Sequence, residues 1–344
     1  MSSIRACGSI APARVIRIRV EGSQNVTEPK TQSTKEPPLP KGMLARAWDS
    51  DVAYSFRTSP VAIIAGLVAV VMIVAAILAP WITPQNPFNP GELVLMDGFT
   101  PPMEPNQFTG NVYWLGTDDQ GRDVFSAILY GARISLFVGF SAVLFAMVLG
   151  VTLGLIAGYR GGWLDSLLMR VADVQLTFPS ILLALLIFGI ARGFIPPAYR
   201  ETMAIWVLII AIGLSDWVQY ARVVRGATMV EKGKEYVQAA RVIGRHPASI
   251  LVRHILPNVM GPVLVIATIG LALAIIAEAT LSFLGVGVPP TQPSLGTLIR
   301  IGQGFLFSGE WWILAFPAAA LLALALSVNL LGDWLRDALN PRLR

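Results

Sequence analysis

The stretch "EYVQAARVIGRHPASILVRHILPN", residues 235–258, decides how the chain is organised, because it is polar and lies between two long apolar runs. It contains Glu235, three arginines and both histidines of the chain. A segment with this many charges is too polar to cross the hydrocarbon core of a bilayer, where each charged side chain is costly. We therefore expect a connection at the membrane surface between two spanning helices.

The composition is that of an integral membrane protein. Of the 344 residues, 54% are hydrophobic and only 14% are charged, and the mean hydropathy is +0.63. Soluble domains usually carry about 25% charged residues. The single cysteine, Cys7, excludes a disulfide framework and a thiolate metal cage. The first 42 residues contain no apolar core of the kind found in a signal peptide, so no signal peptide is expected.

Six apolar runs are long enough to be transmembrane helices, which need roughly 20 residues each, although the third and fourth are short. They lie at 61–82, 134–157, 174–190, 203–217 with a polar continuation, 260–284 and 312–331. An even number of spans puts both termini on one side of the membrane. Only five of the 26 Lys and Arg residues fall in the loops on the other side, and Lys and Arg concentrate in cytoplasmic segments. Both termini are therefore predicted to be cytoplasmic.

The predicted organisation has three parts. Residues 1–42 are rich in proline, threonine and mixed charge and are expected to form a disordered cytoplasmic tail. Residues 43–60 form a cytoplasmic segment that precedes the membrane. Residues 61–344 form an all-α transmembrane domain with six spanning helices, and this domain includes the polar loop 231–258.

No cluster of residues indicates catalysis. The nucleotide-binding pattern G-x-x-x-x-G-K-[ST] is absent, and the nearest sequence, "EKGKEY", has Glu235 where Ser or Thr is required. The chain is therefore not expected to hydrolyse ATP or to be an enzyme. His246 and His254 lie eight residues apart without clustered cysteines, so helix-surface imidazoles are expected and a metal site is not.

Two features indicate how the helices pack and bend. Gly150, Gly154 and Gly158 lie one turn apart in the second span, and small residues at this spacing allow helix backbones to approach closely. The close contact lies either within the bundle or at a subunit seam or moving seam. Pro179, inside the third span, lacks a backbone donor and is expected to kink that helix.

Several acidic residues lie in or near the spans. Asp173 is one turn from Arg170 and is expected to form an ion pair with it. Glu278 lies well inside the fifth span, where a carboxylate either accepts a hydrogen bond from a neighbouring helix or lies on a polar pathway. Ahead of the second span, a helix either begins with Asp118 or Asp119 near its start or lies along the outer membrane surface.

The first half of the polar stretch has the pattern of a short helix. Tyr236, Ala240 and Ile243 recur at helical spacing, and Ala239 lies beside Ala240. Two adjacent alanines leave a flat patch that another protein can approach closely. A short surface helix with an accessible face is therefore predicted here.

Glycine and proline define the rest of the stretch. Gly244 provides a helix stop, because glycine tolerates the left-handed backbone found at helix ends. Pro247 suits the first turn of a second helix, where its missing N–H is no loss. Pro257 is expected to end that second helix just before the fifth span. The prediction is a helix, a turn and a helix at the cytoplasmic surface.

The pattern A-A-x3-G-x9-H-x-L-P, which begins at Ala239, resembles the cytoplasmic EAA loop of bacterial ABC importer permeases. The variant "EYVQAARVIG" followed by "RHILPN" is similar to the peptide and nickel branch, specifically the second of its two permease subunits. The stretches "LGTDDQGRDVFSAILYGARISL", "AEATLSFLGVG" and "LGDWLRDALNPRLR" agree with that subunit. Gln238 and His254 depart from the general loop pattern, whereas Glu235 fits this branch.

The resemblance implies the fold of a type I ABC importer permease, in which this loop docks into a groove on an ATPase subunit and transmits motion to the membrane helices. The residues that it assigns to ATPase coupling are Glu235, Tyr236, Gln238, Ala239, Ala240, Arg241, Gly244, Arg245, Leu256 and Pro257.

The resemblance also implies partners and a location. The partners are a sister permease subunit, two cytoplasmic ABC ATPase subunits and a periplasmic or extracellular solute-binding protein, assembled in the lipid bilayer of the bacterial cytoplasmic membrane. ATP and Mg are bound by the ATPase subunits, no cofactor is bound by this chain, and no nucleic acid partner is expected.

Cargo and mechanism leave alternatives. Di- and oligopeptides are the favoured cargo, and nickel or glutathione-like solutes remain open because the binding protein is the main selector in this family. A proton-driven secondary transporter, with Asp173 and Glu278 as relay residues, would leave the polar loop unexplained. The loop alone would also suit an amphipathic helix on anionic lipid. A membrane-embedded enzyme would need a clustered catalytic set, which the sequence lacks.

Overall fold

The computed structural model describes residues 51–338, with side chains from Tyr54 onward. The predicted tail 1–42 and residues 43–50 of the predicted segment 43–60 lie outside the described residues. Between residues 51 and 338 the chain is helical, and two isolated antiparallel bridges are the only strand-like pairings there. The all-α fold class is therefore confirmed.

Ten helices of the described part carry the architecture. They are α1 (Asp51–Thr58), α2 (Pro60–Ile77), α3 (Val124–Arg160), α4 (Gly162–Leu176), α5 (Ser180–Phe194), α6 (Arg200–Glu231), α7 (Glu235–Val242), α8 (Pro247–Phe283), α9 (Leu295–Gln303) and α10 (Trp312–Ala338).

The six predicted spans each have a counterpart among these helices. The helices α2, α3, α6, α8 and α10 are long and apolar enough to cross a membrane, and the consecutive helices α4 and α5 together provide a sixth apolar element. The fourth span and its predicted polar continuation form one helix, because α6 runs from Arg200 to Glu231. The remaining spans differ from prediction mainly at their ends.

The third span is broken, which corrects the prediction of a single kinked helix. The helices α4 and α5 meet at an angle of 99° across a break of a few residues. Pro179 lies at the N-cap of α5 with an extended backbone (ψ 130°), so it stands between the two helices and not inside one. A proline restricts its preceding residue to extended conformations, and Phe178 therefore cannot continue α4.

The second span begins earlier than predicted. The helix α3 starts at Val124 and runs without interruption to Arg160, so the stretch before the span does not lie separately along the membrane surface. The N-cap is Asp123, whose carboxylate accepts a hydrogen bond from the Ser126 amide at 2.9 Å. The predicted candidates for this position are wrong, because Asp118 instead pairs with Arg122 at 2.6 Å in the loop.

The helices α3 and α6 form the most extensive helix contact of the described residues, and the predicted glycine stripe lies in it. Gly150, Gly154 and Gly158 all face α6, and a β carbon on any of them would overlap its backbone or β carbons. The three glycines therefore lie at a contact within the chain, which is the first of the two predicted alternatives. The other spans pack around this pair, with α8 and α2 also contacting α3.

The segment 83–123 between α2 and α3 folds around the buried carboxylate of Asp97. Three side chains of the same segment donate hydrogen bonds to it, those of Thr109, Asn111 and Tyr113. Burial raises the pKa of Asp97, but the three hydrogen bonds stabilise the charged form and hold the pKa below its usual value. The segment is fastened to α10, because Trp312 Nε1 donates to the Thr117 carbonyl at 3.1 Å.

The second helix of the polar stretch and the fifth span are one continuous helix, α8. A π-helical turn at Leu251–Ile255 lies between its first turn and Leu256–Phe283. Pro257 therefore does not end a helix, which corrects the prediction. The wider π turn accommodates the proline, because the carbonyls of the preceding turn are displaced from the positions that its ring would overlap.

Candidate functional site

The helix α7 packs its inner face against the start of α8. Val237 and Ala240 are buried among Ile250, Ile255 and Val259. This corrects the prediction of a patch formed by two alanines, because Ala240 is buried and is not accessible to a partner. Ala239 is exposed, so only one of the two alanines is open to a partner.

The turn after α7 has the geometry that its glycine predicts. Gly244 adopts a left-handed backbone (φ 80°), its N–H donates to the Arg241 carbonyl at 2.9 Å, and the Arg245 N–H donates to the Ala240 carbonyl at 3.1 Å. These two bonds satisfy carbonyls that the helix end would leave without a donor. Pro247 then occupies the first turn of α8, as predicted.

His246 caps the start of α8. Its Nδ1 atom accepts a hydrogen bond from the Ala248 amide at 3.3 Å. His254 lies in the π turn, with its ring 6.4 Å from that of Tyr236. Among the residues the structure describes, no group of three or more His, Cys, Asp or Glu side chains is arranged to hold a metal ion.

One tyrosine fastens α7 to both neighbouring helices. The Tyr236 hydroxyl donates to the carboxylate of Glu231 at the end of α6, and it accepts from Asn258 Nδ2 of α8 at 3.1 Å. Lys234 Nζ lies 2.6 Å from a Glu231 oxygen and helps to hold it. The hydrogen bond to Glu231, together with burial, raises the pKa of Tyr236, so the hydroxyl remains protonated and able to donate at neutral pH.

A basic cleft lies beside α7, where it meets the end of α3. The cleft has a volume of about 460 Å³ and is lined by Tyr159, Arg160, Arg241, Arg245, Pro247 and Ile250. The Arg241 guanidinium stacks over the Tyr159 ring at 4.9 Å from its centre, which orients this side chain by a cation–π interaction. Two predicted coupling residues, Arg241 and Arg245, are therefore brought together on one side of the loop.

The tip of the loop exposes two apolar side chains, Val242 and Ile243, of which the sequence pattern indicated only Ile243, as part of the helical spacing of α7. Val242 is 88% exposed and Ile243 is 78% exposed. Their position in the sequence could have indicated this exposure. The two branched apolar residues directly precede the glycine that ends the helix, and they do not lie on the buried face that contains Val237 and Ala240. Glycine-terminated surface turns usually carry polar residues there.

The remaining predicted coupling residues divide between surface and core. Glu235 and Gln238 are exposed, and Gln238 Nε2 donates to the Gly233 carbonyl at 3.0 Å. Leu256 packs against the buried cluster under α7, whereas Pro257 is exposed. The accessible part of the loop is therefore α7, its tip and the outer side of the π turn.

The two acidic residues near the spans lie in different environments. Asp173 pairs with Arg222 of α6 at 2.5 Å, which corrects the predicted pair with Arg170. Glu278 is fully buried, and its carboxylate accepts hydrogen bonds from Ser135 Oγ of α3 and Ser282 Oγ, each at 2.7 Å. The structure thus gives Glu278 the interhelical hydrogen bond that was one of its two predicted roles.

Two parts of the chain match known families. Residues 150–344, which include α7 and the π turn, match the family described as "Binding-protein-dependent transport system inner membrane component". Residues 47–102 match the "N-terminal TM domain of oligopeptide transport permease C". The two matches together cover most of the described residues.

Relatives of similar length agree with these matches. The chain is 37% identical to the dipeptide transport system permease protein of Haemophilus influenzae, over 89% of this chain and 97% of that protein. It is 35% identical to the oligopeptide transport system permease protein of Bacillus subtilis, over 86% and 90%. It is 36% identical to the glutathione transport system permease protein of Pectobacterium atrosepticum, over 84% and 89%.

Proposed function

The chain belongs to the family of binding-protein-dependent transport system inner membrane components, and on that premise we propose that it receives the motion of a partner ATPase through the loop 231–258. It is a multi-pass permease subunit that forms half of a translocation pathway. A sister permease forms the other half, two ATPase subunits bind ATP and Mg, and a binding protein delivers the solute from outside. The excess of Lys and Arg on the side of the loop supports cytoplasmic termini in a bacterial cytoplasmic membrane.

The observation that carries this proposal is the exposed apolar tip of α7. Val242 and Ile243 project into solvent beside the charged side chains of Arg241 and Arg245. Apolar residues rimmed by polar ones are the usual composition of the centre of a protein interface. The tip is therefore suited to insertion into a groove of another protein.

The base of α7 is built to pass on a force that is applied at the tip. Val237 and Ala240 are buried, and Tyr236 joins α6 to α8 through Glu231 and Asn258. A helix held at this many points moves with its neighbours. A displacement of the tip is then transferred to two membrane helices at once.

Short peptides are the proposed cargo. Two of the relatives are named for dipeptide and oligopeptide transport, and the third is named for glutathione, which is itself peptide-like. A glutathione-like solute is therefore the alternative within the same chemistry. Uptake of labelled peptide by vesicles that contain the whole complex and its binding protein tests this assignment.

The docking role is tested by placing charge at the tip. The double substitution Val242→Asp with Ile243→Asp buries two carboxylates in an apolar groove if the tip docks there. We expect co-purification of the ATPase with the permease to fall by about tenfold or more, because an interface core loses more than 1.4 kcal/mol when charge is introduced.

The matched control is the double substitution Leu95→Asp with Met96→Asp. These residues are 74% and 65% exposed in the segment 83–123, at the opposite end of α3 from the loop. The control should leave ATPase association normal. Equal association in both variants would show that the tip does not dock, provided both elute as monodisperse protein.

A further inference from the structure

A charged cleft lies at the end of the bundle opposite to the coupling loop. It has a volume of about 110 Å³ and lies between the end of α5, the start of α6 and the connection from α8 to α9. Its charged lining residues are Arg192, Arg200, Glu201 and Arg300, and the apolar side chains of Phe188 and Ala204 lie among them. Because α6 has 32 residues and a helix rises about 1.5 Å per residue, roughly 48 Å separates its two ends.

The charges in this cleft have few partners within the protein. Arg200 is held in place, because its Nε atom donates to the Ile195 carbonyl at 3.2 Å. Among residues 51–338, no ion pair involves Arg192, Glu201 or Arg300. Three guanidinium groups and one carboxylate therefore leave a net charge of two positive units, which attracts an anionic group.

The backbone leaves room for one of these guanidinium groups. Gly285 ends α8 in a left-handed conformation (φ 80°), and a β carbon there would lie 2.6 Å from Arg300 Nη1. Glycine at this position both terminates the helix and admits the Arg300 side chain against its end. The Arg300 guanidinium therefore lies against the end of α8.

Helix dipoles account for part of this arrangement. Arg192 and Arg300 lie in the last turns of α5 and α9, and Glu201 lies in the first turn of α6, where each charge is favourable. A helix-end role, however, requires only charge, and it is satisfied by lysine as well as by arginine. It does not account for the convergence of three arginines on one concave site.

We propose that this cleft binds the terminal carboxylate of an incoming peptide, with Arg192 and Arg300 as its donors. Arginine presents two parallel N–H groups that match a carboxylate. Pockets that enclose a whole small molecule usually measure ~300–1,000 Å³, so a cleft of about 110 Å³ holds one end of a solute only. This inference rests on the proposed function, which brings peptides to this face.

A peptide terminus fits this site better than a docking protein does. A stable protein interface buries about 800 Å² on each partner, spread over a broad surface. The charged residues here converge instead on a concavity with Phe188 at its lining. A carboxylate at the end of a flexible chain can enter such a site, and the binding protein remains the alternative that the experiment must separate.

The test measures protection of arginines from chemical modification. The complete permease–ATPase complex, in lipid nanodiscs without binding protein, is treated with phenylglyoxal in the presence of alanyl-alanine or of alanyl-alanine amide. Mass spectrometry reports the modification rate at each arginine. We expect alanyl-alanine to slow modification of Arg192 and Arg300 by about fivefold or more, an effect worth ~1 kcal/mol of occupancy. The amide, which lacks the carboxylate, should not protect.

Arg133 provides the matched control. It is an exposed arginine of α3 that lines a separate cleft with Gln292 and should react equally under all conditions. Equal protection by the amide, protection of Arg133, or no protection of Arg192 and Arg300 would each overturn the proposal. If Arg192 and Arg300 are protected only when peptide-free binding protein is added, the cleft is a docking site for that protein, and the proposal is also overturned.

The substitution Arg300→Lys separates carboxylate binding from a helix-end role. Lysine keeps the charge but not the pair of parallel donors, so alanyl-alanine should no longer slow the modification of Arg192 in this variant. Retained protection would contradict the proposal. If the wild-type complex imports peptide but shows no protection, only this inference fails; if it imports no peptide, the proposed function fails.

Discussion

At the scale of single residues, the buried carboxylate of Glu278 joins α8 to α3 through its hydrogen bond with Ser135. A carboxylate inside an apolar run must face protein or water, and this one faces protein. Its partner Ser135 lies 143 positions earlier and on another helix, so no local pattern could identify it. For Asp173, the spacing within one helix predicted an ion pair with Arg170. The packing of α4 on α6 instead provides Arg222 as the partner.

The geometry of Glu278 gives a prediction for its substitutions. Glu278→Gln keeps the volume and one acceptor oxygen, so the free energy of unfolding should fall by only about 1 kcal/mol and peptide uptake should continue. Glu278→Ala leaves a cavity and two serines without their acceptor, and it should cost about 3 kcal/mol. Thermal unfolding of the purified protein and uptake by vesicles measure the two effects. Loss of uptake in the Gln variant at normal stability would instead place Glu278 on the transport pathway.

At the scale of elements, local chemistry predicted the turn but not the helix that follows it. Gly244 and Pro247 act through their own backbone, so their effects could be inferred from sequence. Pro257 was expected to end a helix, and the π turn Leu251–Ile255 allows the helix to continue. The break at Pro179 has a similar cause, because the surrounding packing decides whether a proline kinks a helix or separates two.

The contact between α3 and α6 leads to a prediction about packing. A β carbon added at Gly154 would lie only 2.9 Å from Val224 Cβ of α6. Gly154→Leu would therefore force a side chain into α6 and should destabilise the protein by ~1–3 kcal/mol or more. Gly226→Ala, on α6 with no atom near its added β carbon, should be neutral or stabilising by about 0.5–1 kcal/mol. Unfolding temperatures of both variants in detergent check this, and an equal effect of the two substitutions would contradict the close contact.

At the scale of the whole molecule, hydropathy located the five helices that are long enough to span a membrane and the bent pair of α4 and α5, because the bilayer imposes a length on each spanning helix. The loop pattern predicted the position of the coupling site. It did not predict that Ala240 would be buried and Val242 and Ile243 exposed, since the register of α7 against α8 depends on contacts with Ile250 and Ile255. The carboxylate-binding cleft was also missed, because its residues come from four separate segments of the chain.

The proposed assembly predicts the energy source for transport. Peptide uptake by vesicles containing the complete complex should require ATP and should persist when an ionophore removes the proton gradient. A proton-driven transporter that uses Asp173 and Glu278 would behave in the opposite way. The buried hydrogen bonds of Glu278 and the ion pair of Asp173 with Arg222 favour structural roles for both residues. Uptake driven by a gradient alone would contradict the importer assignment.

The continuity of α8 has a mechanical consequence. A helix of 37 residues is about 55 Å long, and this one begins at Pro247, shortly after the loop tip, and ends at Phe283, two residues before Gly285 and the Arg300 side chain. A displacement at one end is transmitted along this helix through the π turn, where it can be rewound by one residue, and through Pro262, where it can bend. By thermodynamic reciprocity, a solute that stabilises one position of the Phe283 end of α8 would also stabilise one mode of ATPase binding near its Pro247 end.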